Sequence, residues 1–177
     1  VDYEFEDHKG QQFFLMRLSP YIDKRAEKTE IAGVLISITD ITKNKEIEQK
    51  LRLSASVFEH SSEGTMITDA NNRIIAVNPA FTTITGYTEE DALGKSPELL
   101  NSGRHPKEFF QAMWNTILTT NAWHGDIENK RKNGEIYSES LSINVLRNTN
   151  NEIIHYISVF NDNTDAKKAL DLIEHQA

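Results

Sequence analysis

The chain has no cysteine. That excludes disulfides, thiolate metal sites and cysteine nucleophiles, and it fits a reducing compartment, so a cytoplasmic location is expected. No apolar run approaches the ~20 residues needed to cross a bilayer as a helix, so direct membrane contact is not expected. A signal peptide is not expected here, because Val1 to His8 is acidic and alternating. There is no initiating methionine either, so the chain is expected to be a segment of a longer protein. A basic footprint is also missing: the net charge is -8, which argues against nucleic acid and anionic lipid as partners. Gly-rich phosphate loops, paired metal-binding histidines and nucleophile elbows do not occur, and catalysis by this segment is not expected. The carboxylates fall on stretches that read as exposed faces and turns.

What is present is ordinary globular composition, 38% hydrophobic and 26% charged, over a length that suits one domain or one and a half. The most informative stretch runs from Asn121 to Thr164. Trp123 to Asn129 alternates large and polar residues. Asn133-Gly134 is a hairpin signal, since both residues tolerate positive φ. Ile136 to Leu146 alternates again, with Ile136, Leu141, Ile143 and Val145 as apolar members. Asn148 to Asn151 is a second turn, and Ile153 to Phe160 reads as a strand buried on at least one face. Asp162 or Thr164 is placed to cap a helix over Ala166 to Ile173.

The start of the chain repeats this order. Val1 to Glu6 and Gln12 to Ile22 read as strands about a turn at His8-Lys9-Gly10. Asp23 to Glu30 is a charged loop, and Ile31 to Ile41 is an apolar strand ending in Asp40-Ile41-Thr42. Gly10 matches Gly134, Leu18-Ser19 matches Leu141-Ser142, and Asp40 and Thr42 match Asp162 and Thr164. An internal repeat is expected, with a first copy lacking its front half. Lys43 to His60 reads as a connecting helix. Its Ile47, Leu51, Ser54 and Phe58 are spaced as a coiled-coil seam of about two and a half heptads. Such a helix either packs on its own sheet or pairs with its twin in a homodimer.

Between helix and meander lie two short strands, Thr65 to Asp69 and Arg73 to Val77, then Asn78-Pro79-Ala80-Phe81 opening a short helix that Gly86 ends. Thr88 reads as an N-cap before an acidic turn. Leu99 to Arg104 reads as a loop. Phe109, Phe110, Met113, Trp114, Ile117 and Leu118 give an amphipathic helix over Lys107 to Thr120.

The wording ITDANNRIIAVNPAFTTITGYTEEDALGK, then WHGDIENKRKNGEIYSESLSINVLRN, then DNTDAKK closely resembles PAS sensor domains, over Leu53 to Lys168. The resemblance implies an α+β fold: an antiparallel five-stranded sheet in the order 2-1-5-4-3, flanked by short helices. It divides the chain into 1–42, the C-terminal part of a truncated PAS domain; 43–60, a signalling helix; 61–165, a complete PAS domain; and 166–177, the start of an output linker. By the same resemblance the module senses a small ligand or redox state, or is a ligand-free dimerisation and relay module. Asn101 to Arg131 resembles the flavin-binding PAS domains of nitrogen-fixation regulators. That likeness implies FAD as the cofactor, with Trp114 contacting the ring and Asn129 bonding its edge. Asn78 and Trp123 complete the candidate cofactor-binding set. The chain departs from the pattern where the acidic ligand contact falls on Pro97, with Glu98 one place off, and where Met66 replaces a small polar residue. Haem is disfavoured, since the one nearby ligand, His105, precedes a proline in a loop. A cysteinyl photoadduct is excluded. Ala169 to Ala177 resembles the linker into diguanylate cyclase output domains, and a sensor histidine kinase is the alternative.

Overall fold

The computed structural model describes residues 1–22 and 31–174. The charged loop expected at Asp23 to Glu30 and the last three residues of the linker lie outside the described residues. The chain divides into two compact units, residues 1–56 and 57–177.

In the first unit β1 (Asp2–Glu6), β2 (Phe13–Ile22) and β3 (Ile31–Asp40) form a three-stranded antiparallel sheet in sequence order, followed by α1 (Thr42–His60). Phe5 and Phe14 stack with ring centroids 5.5 Å apart, and Arg17 pairs with Asp2 at 2.8 Å. Among the described residues none of this unit is buried. Val34, Ile36 and Ile38 stand 58–63% exposed on β3, and α1 has no buried residue.

In the second unit the elements run β4 (Gly64–Asp69), β5 (Ile74–Val77), α2 (Pro79–Thr85), α3 (Glu89–Ala92), a 3₁₀ turn (Pro97–Leu100), α4 (Lys107–Thr120), β6 (Ala122–Lys130), β7 (Ile136–Arg147), β8 (Ile153–Asp162) and α5 (Thr164–Glu174). The sheet is antiparallel with strand order β5-β4-β8-β7-β6. Numbered within the unit, this is the 2-1-5-4-3 order that the resemblance implied. The 3₁₀ turn was not expected. It starts where Ser96 accepts the Glu98 amide and Pro97 occupies the first turn, a short-range device with no periodicity to reveal it.

One face of the sheet is buried. Met66, Ile127, Leu141, Ile143, Tyr156 and Phe160 project from it, and Phe81, Leu100, Met113 and Ile117 pack among them. The strands alternate strictly in burial, as a sheet with one covered face requires. Gly64 sits beneath the Phe160 ring, where a Cβ would come 2.4 Å from Phe160 Cζ, so only glycine fits. Thr88 forms a capping box with Asp91 at the start of α3.

Both units end their last strand in the same clasp. Asp162 Oδ1 accepts the Thr164 amide at 2.9 Å, Thr164 Oγ1 accepts the Ser138 amide at 2.9 Å, and the Asn163 amide bonds Ser138 O. In the first unit Asp40 Oδ1 accepts the Thr42 amide, Thr42 Oγ1 accepts the Phe13 amide at 2.9 Å, and the Ile41 amide bonds Phe13 O. Anchoring on the clasp matches Phe13 with Ser138. Leu18 then corresponds to Ile143, and Met16 to Leu141. The register read from the shared Leu-Ser pair was therefore two residues off, because the two hairpins differ in length. Thr164 is the first helical residue, and its hydroxyl serves the clasp.

Candidate functional site

A cavity of about 480 Å³ lies in the second unit, between the buried face of the sheet, α4 and the 3₁₀ turn. Its walls are mostly apolar, with Phe110, Met113 and Trp114 from α4 facing Ile127, Leu141 and Tyr156 from the sheet. The Trp114 and Tyr156 rings meet edge to face at 5.4 Å. Glu98, Asn101 and Lys107, all exposed, mark the rim. The loop after the 3₁₀ turn is strapped to β6. Asn101 bridges Asn129 through the backbone, Ser102 Oγ donates to Glu128 O, and the Glu128 amide donates to His105 Nε2 at 2.8 Å. His105 also stacks on Phe109 at 4.3 Å. Its ring nitrogen is thus spent holding the rim.

Three buried polar side chains reach the cavity: Asn129, Glu139 and Ser158. Glu139 is 1% exposed. Its Oε1 accepts from Asn129 Nδ2 at 2.9 Å and its Oε2 from the Tyr137 hydroxyl at 2.7 Å. Burial pushes its carboxyl up to about 7, against the lowering pull of those two bonds. Burial, with Glu139 beside it, likewise raises the Tyr137 hydroxyl. The expectation that the carboxylates sit on exposed faces and turns is wrong for this one. β7 buries Tyr137, Glu139, Leu141 and Ile143, so Glu139 occupies an apolar phase of the alternation. An acid in that phase was the available signal.

Behind Tyr137 a charged chain leads to α5. The Arg131 guanidinium lies 4.3 Å over the Tyr137 ring, pairs with Asp162 at 2.5 Å and Glu135 at 3.1 Å, and donates to Ile84 O. Burial pushes the Asp162 carboxyl up, but its bonds to Arg131 and Thr164 outweigh that and hold it low. Cavity, Glu139, Tyr137, Arg131, Asp162 and the first turn of α5 are thus continuous.

Of the four expected cofactor-binding residues, the structure brings Trp114 and Asn129 together on the cavity wall and leaves two elsewhere. Asn78 is not a lining residue. It caps α2, its Oδ1 accepting the Phe81 amide at 2.9 Å and the Thr65 amide at 2.8 Å, while Nδ2 donates to Glu63 O and Phe58 O. Its side chain is fully engaged in holding the start of the domain. Trp123 lines a separate shallow cleft with Thr116, His124 and Ser142. Its indole covers Gly125, where a Cβ would lie 2.7 Å from Trp123 Cζ2, and meets Phe109 edge to face. Pro97, Glu98 and Met66, where the chain departs from the flavin-type pattern, do line the cavity. Among the described residues no cluster of side chains suits a metal ion, and no helix is long and apolar enough to cross a membrane.

A family model described as "PAS domain" matches residues 62–165, the span that carries the sheet and the cavity. The nitrogen fixation regulatory protein of Klebsiella oxytoca is 35% identical over 115 residues, covering 65% of this chain and 23% of that protein. The sensor histidine kinase TmoS of Ectopseudomonas mendocina is 29% identical, over 67% of this chain and 12% of the kinase. The chain therefore spans a quarter or less of these relatives. Among solved structures, the PAS domain of a Colwellia psychrerythraea protein superposes with a TM-score of 0.62 at 21% identity, covering 66% of this chain and 98% of that one. Family match, strand order and the placement of the cavity agree, and the chain belongs to the PAS domain family.

Proposed function

We propose that the second unit is the sensory module of a signal-transduction protein and that its cavity binds a flat heteroaromatic ligand, a flavin such as FAD. The observation that carries this reading is the cavity itself. It is enclosed by aromatic and aliphatic walls, its 480 Å³ fall in the range of small-molecule sites, and its fixed polar groups are few and buried. Trp114 offers an aromatic wall to a planar ring, and Asn129 keeps a hydrogen on Nδ2 after bonding Glu139. A flavin ring fits this chemistry, and its tail would leave over the rim near Lys107. The likeness to a nitrogen fixation regulatory protein supports a regulatory role.

Occupancy is relayed through Tyr137, Arg131 and Asp162 to α5, and from there to a C-terminal output. We read the first unit as the C-terminal part of a second PAS domain and α1 as the seam of a homodimer. The output is a diguanylate cyclase on the wording of Ala169 to Ala177. The other reading is a ligand-free relay module of a sensor histidine kinase, and the likeness to the sensor histidine kinase TmoS supports that output. This segment is cytoplasmic in both.

The purified chain is expected to show a flavin absorption spectrum or to acquire one on titration with FAD. Asn129→Ala should shift that spectrum while circular dichroism stays unchanged. A colourless protein that ignores added FAD removes the cofactor. For the full-length protein, formation of a cyclic dinucleotide from GTP supports the cyclase, and autophosphorylation from ATP the kinase.

A further inference from the structure

The buried carboxylate in the cavity wall restricts the ligand further than shape does. Glu139 is 1% exposed, and its neighbours supply two donors, Asn129 Nδ2 and the Tyr137 hydroxyl. An ionised carboxylate has about four acceptor positions, so two stay open on a side chain that lines the cavity. None of the lining groups beside it is cationic. Lys107 and Glu98 are at the exposed rim, Tyr156 lines the apolar wall, and Arg131 and Asp162 lie on the far side of the Tyr137 ring, already paired to each other. A buried acceptor with open positions is complemented by a ligand N–H, and a ligand carboxylate or phosphate at the same depth meets an uncompensated like charge.

Resting on the flavin-type reading above, we infer that Glu139 is the specificity-determining residue of the cavity, selecting neutral or cationic nitrogen heterocycles that present an N–H to its carboxylate beside a carbonyl for Asn129 Nδ2. Such edges occur on flavins, lumazines, xanthines and uracils. The ionised form accepts the ligand N–H, so binding favours deprotonated Glu139. With burial holding the carboxyl near 7, affinity is full above that pH and falls below it by at most about tenfold per pH unit.

The test uses the whole chain, stripped of any bound flavin, and two probes, riboflavin and 3-methylriboflavin, which differ in whether the imide nitrogen carries a hydrogen. Fluorescence titrations are run at pH 8 and pH 5.5 on the wild type and on Glu139→Gln. The wild type is expected to bind riboflavin at least tenfold more tightly than the methylated probe at pH 8, and to lose most of that preference at pH 5.5. Glu139→Gln keeps the shape and one acceptor oxygen for Asn129 Nδ2, while its Nε2 donates to the Tyr137 oxygen in place of accepting from it, and its riboflavin affinity should not change between the two pH values. If the wild type binds both probes equally at pH 8, with no change at pH 5.5, the selection by Glu139 is wrong and the flavin reading stands. If riboflavin is not bound at either pH, both fall. The wild-type comparison decides the matter even if the variant folds poorly.

Discussion

The first unit and the C-terminal half of the second carry the same meander with the same Asp-x-Thr clasp, yet one is bare and the other is core. Phe160 of β8 and Ile38 of β3 stand at the same distance before their clasps. Phe160 is 2% exposed and Ile38 61%. The difference lies in what the strand meets. β8 pairs on its second edge with β4 and is covered on one face by the Phe81, Met113 and Ile117 cluster. Among the described residues of its own unit β3 has neither a second strand partner nor a covering layer. Hydrogen-bonded local geometry is thus set by the meander itself, whereas stability comes from the layer packed on it.

The sharpest break in this comparison is to separate the units. A polypeptide of residues 1–56 should show no protected amides in hydrogen exchange, since three strands without a core do not persist in water. Residues 57–177 should keep slow exchange in β4, β7 and β8. Strong protection in the isolated first unit would mean that its exposed apolar strand finds a partner the meander comparison does not identify.

Matched substitutions come next in size. Phe160→Ala should cost about 3–5 kcal/mol in urea unfolding, because it empties the centre of the buried face. Ile38→Ala should change stability by under ~0.5 kcal/mol, as exposed positions usually do. Equal effects would show that β3 is buried in solution.

The clasps differ less. Asp162→Asn should destabilise the second unit by about 1–3 kcal/mol, since it strips a charge-assisted bond from part-buried Arg131. Because the Asp162 pKa is lowered on folding, its contribution is present above the unfolded value near ~4 and is lost as pH falls through the folded one. Wild type and variant melting curves should therefore begin to approach each other below about pH 4 and meet only below the folded value. The Asp40 carboxyl is also held low, by Thr42, but it is exposed, and Asp40→Asn is expected to leave the main transition unmoved.

These contrasts also explain what the sequence could and could not tell. β6, β7 and β8 followed from alternation and from Asn133-Gly134, because a sheet with one buried face prints its period on the chain. The Thr88 cap followed from side-chain chemistry. Glu139 did not, because a carboxylate is normally solvated, and only the phase shared with Tyr137 and Leu141 gave it away. Asn78 and Trp123 were placed at the ligand by family wording. Their roles, closing backbone amides and covering Gly125, depend on where the elements meet. Trp114 and Asn129 share a wall because α4 crosses the sheet, a tertiary fact absent from either local pattern.

The smallest expected effect on the fold concerns α1. Ile47, Leu51 and Val57 are 48–67% exposed, although their helix begins directly at the first clasp. An exposed apolar side chain costs little by itself, so Leu51→Glu should leave the melting of the second unit within ~0.5 kcal/mol of wild type. Its effect should appear in association instead. Each Leu or Ile buried from both chains contributes on the order of 1.5–3 kcal/mol, and the loss of rigid-body freedom offsets much of the sum, so a parallel pair of α1 helices gives a weak to moderate dimer. A carboxylate at Leu51 would be buried without a partner in that seam and should dissociate it. Sedimentation at high micromolar concentration is expected to show a wild-type dimer and a Leu51→Glu monomer with the same second-unit spectrum. A monomeric wild type would remove the seam, and with it the means by which α1 couples two copies of the module.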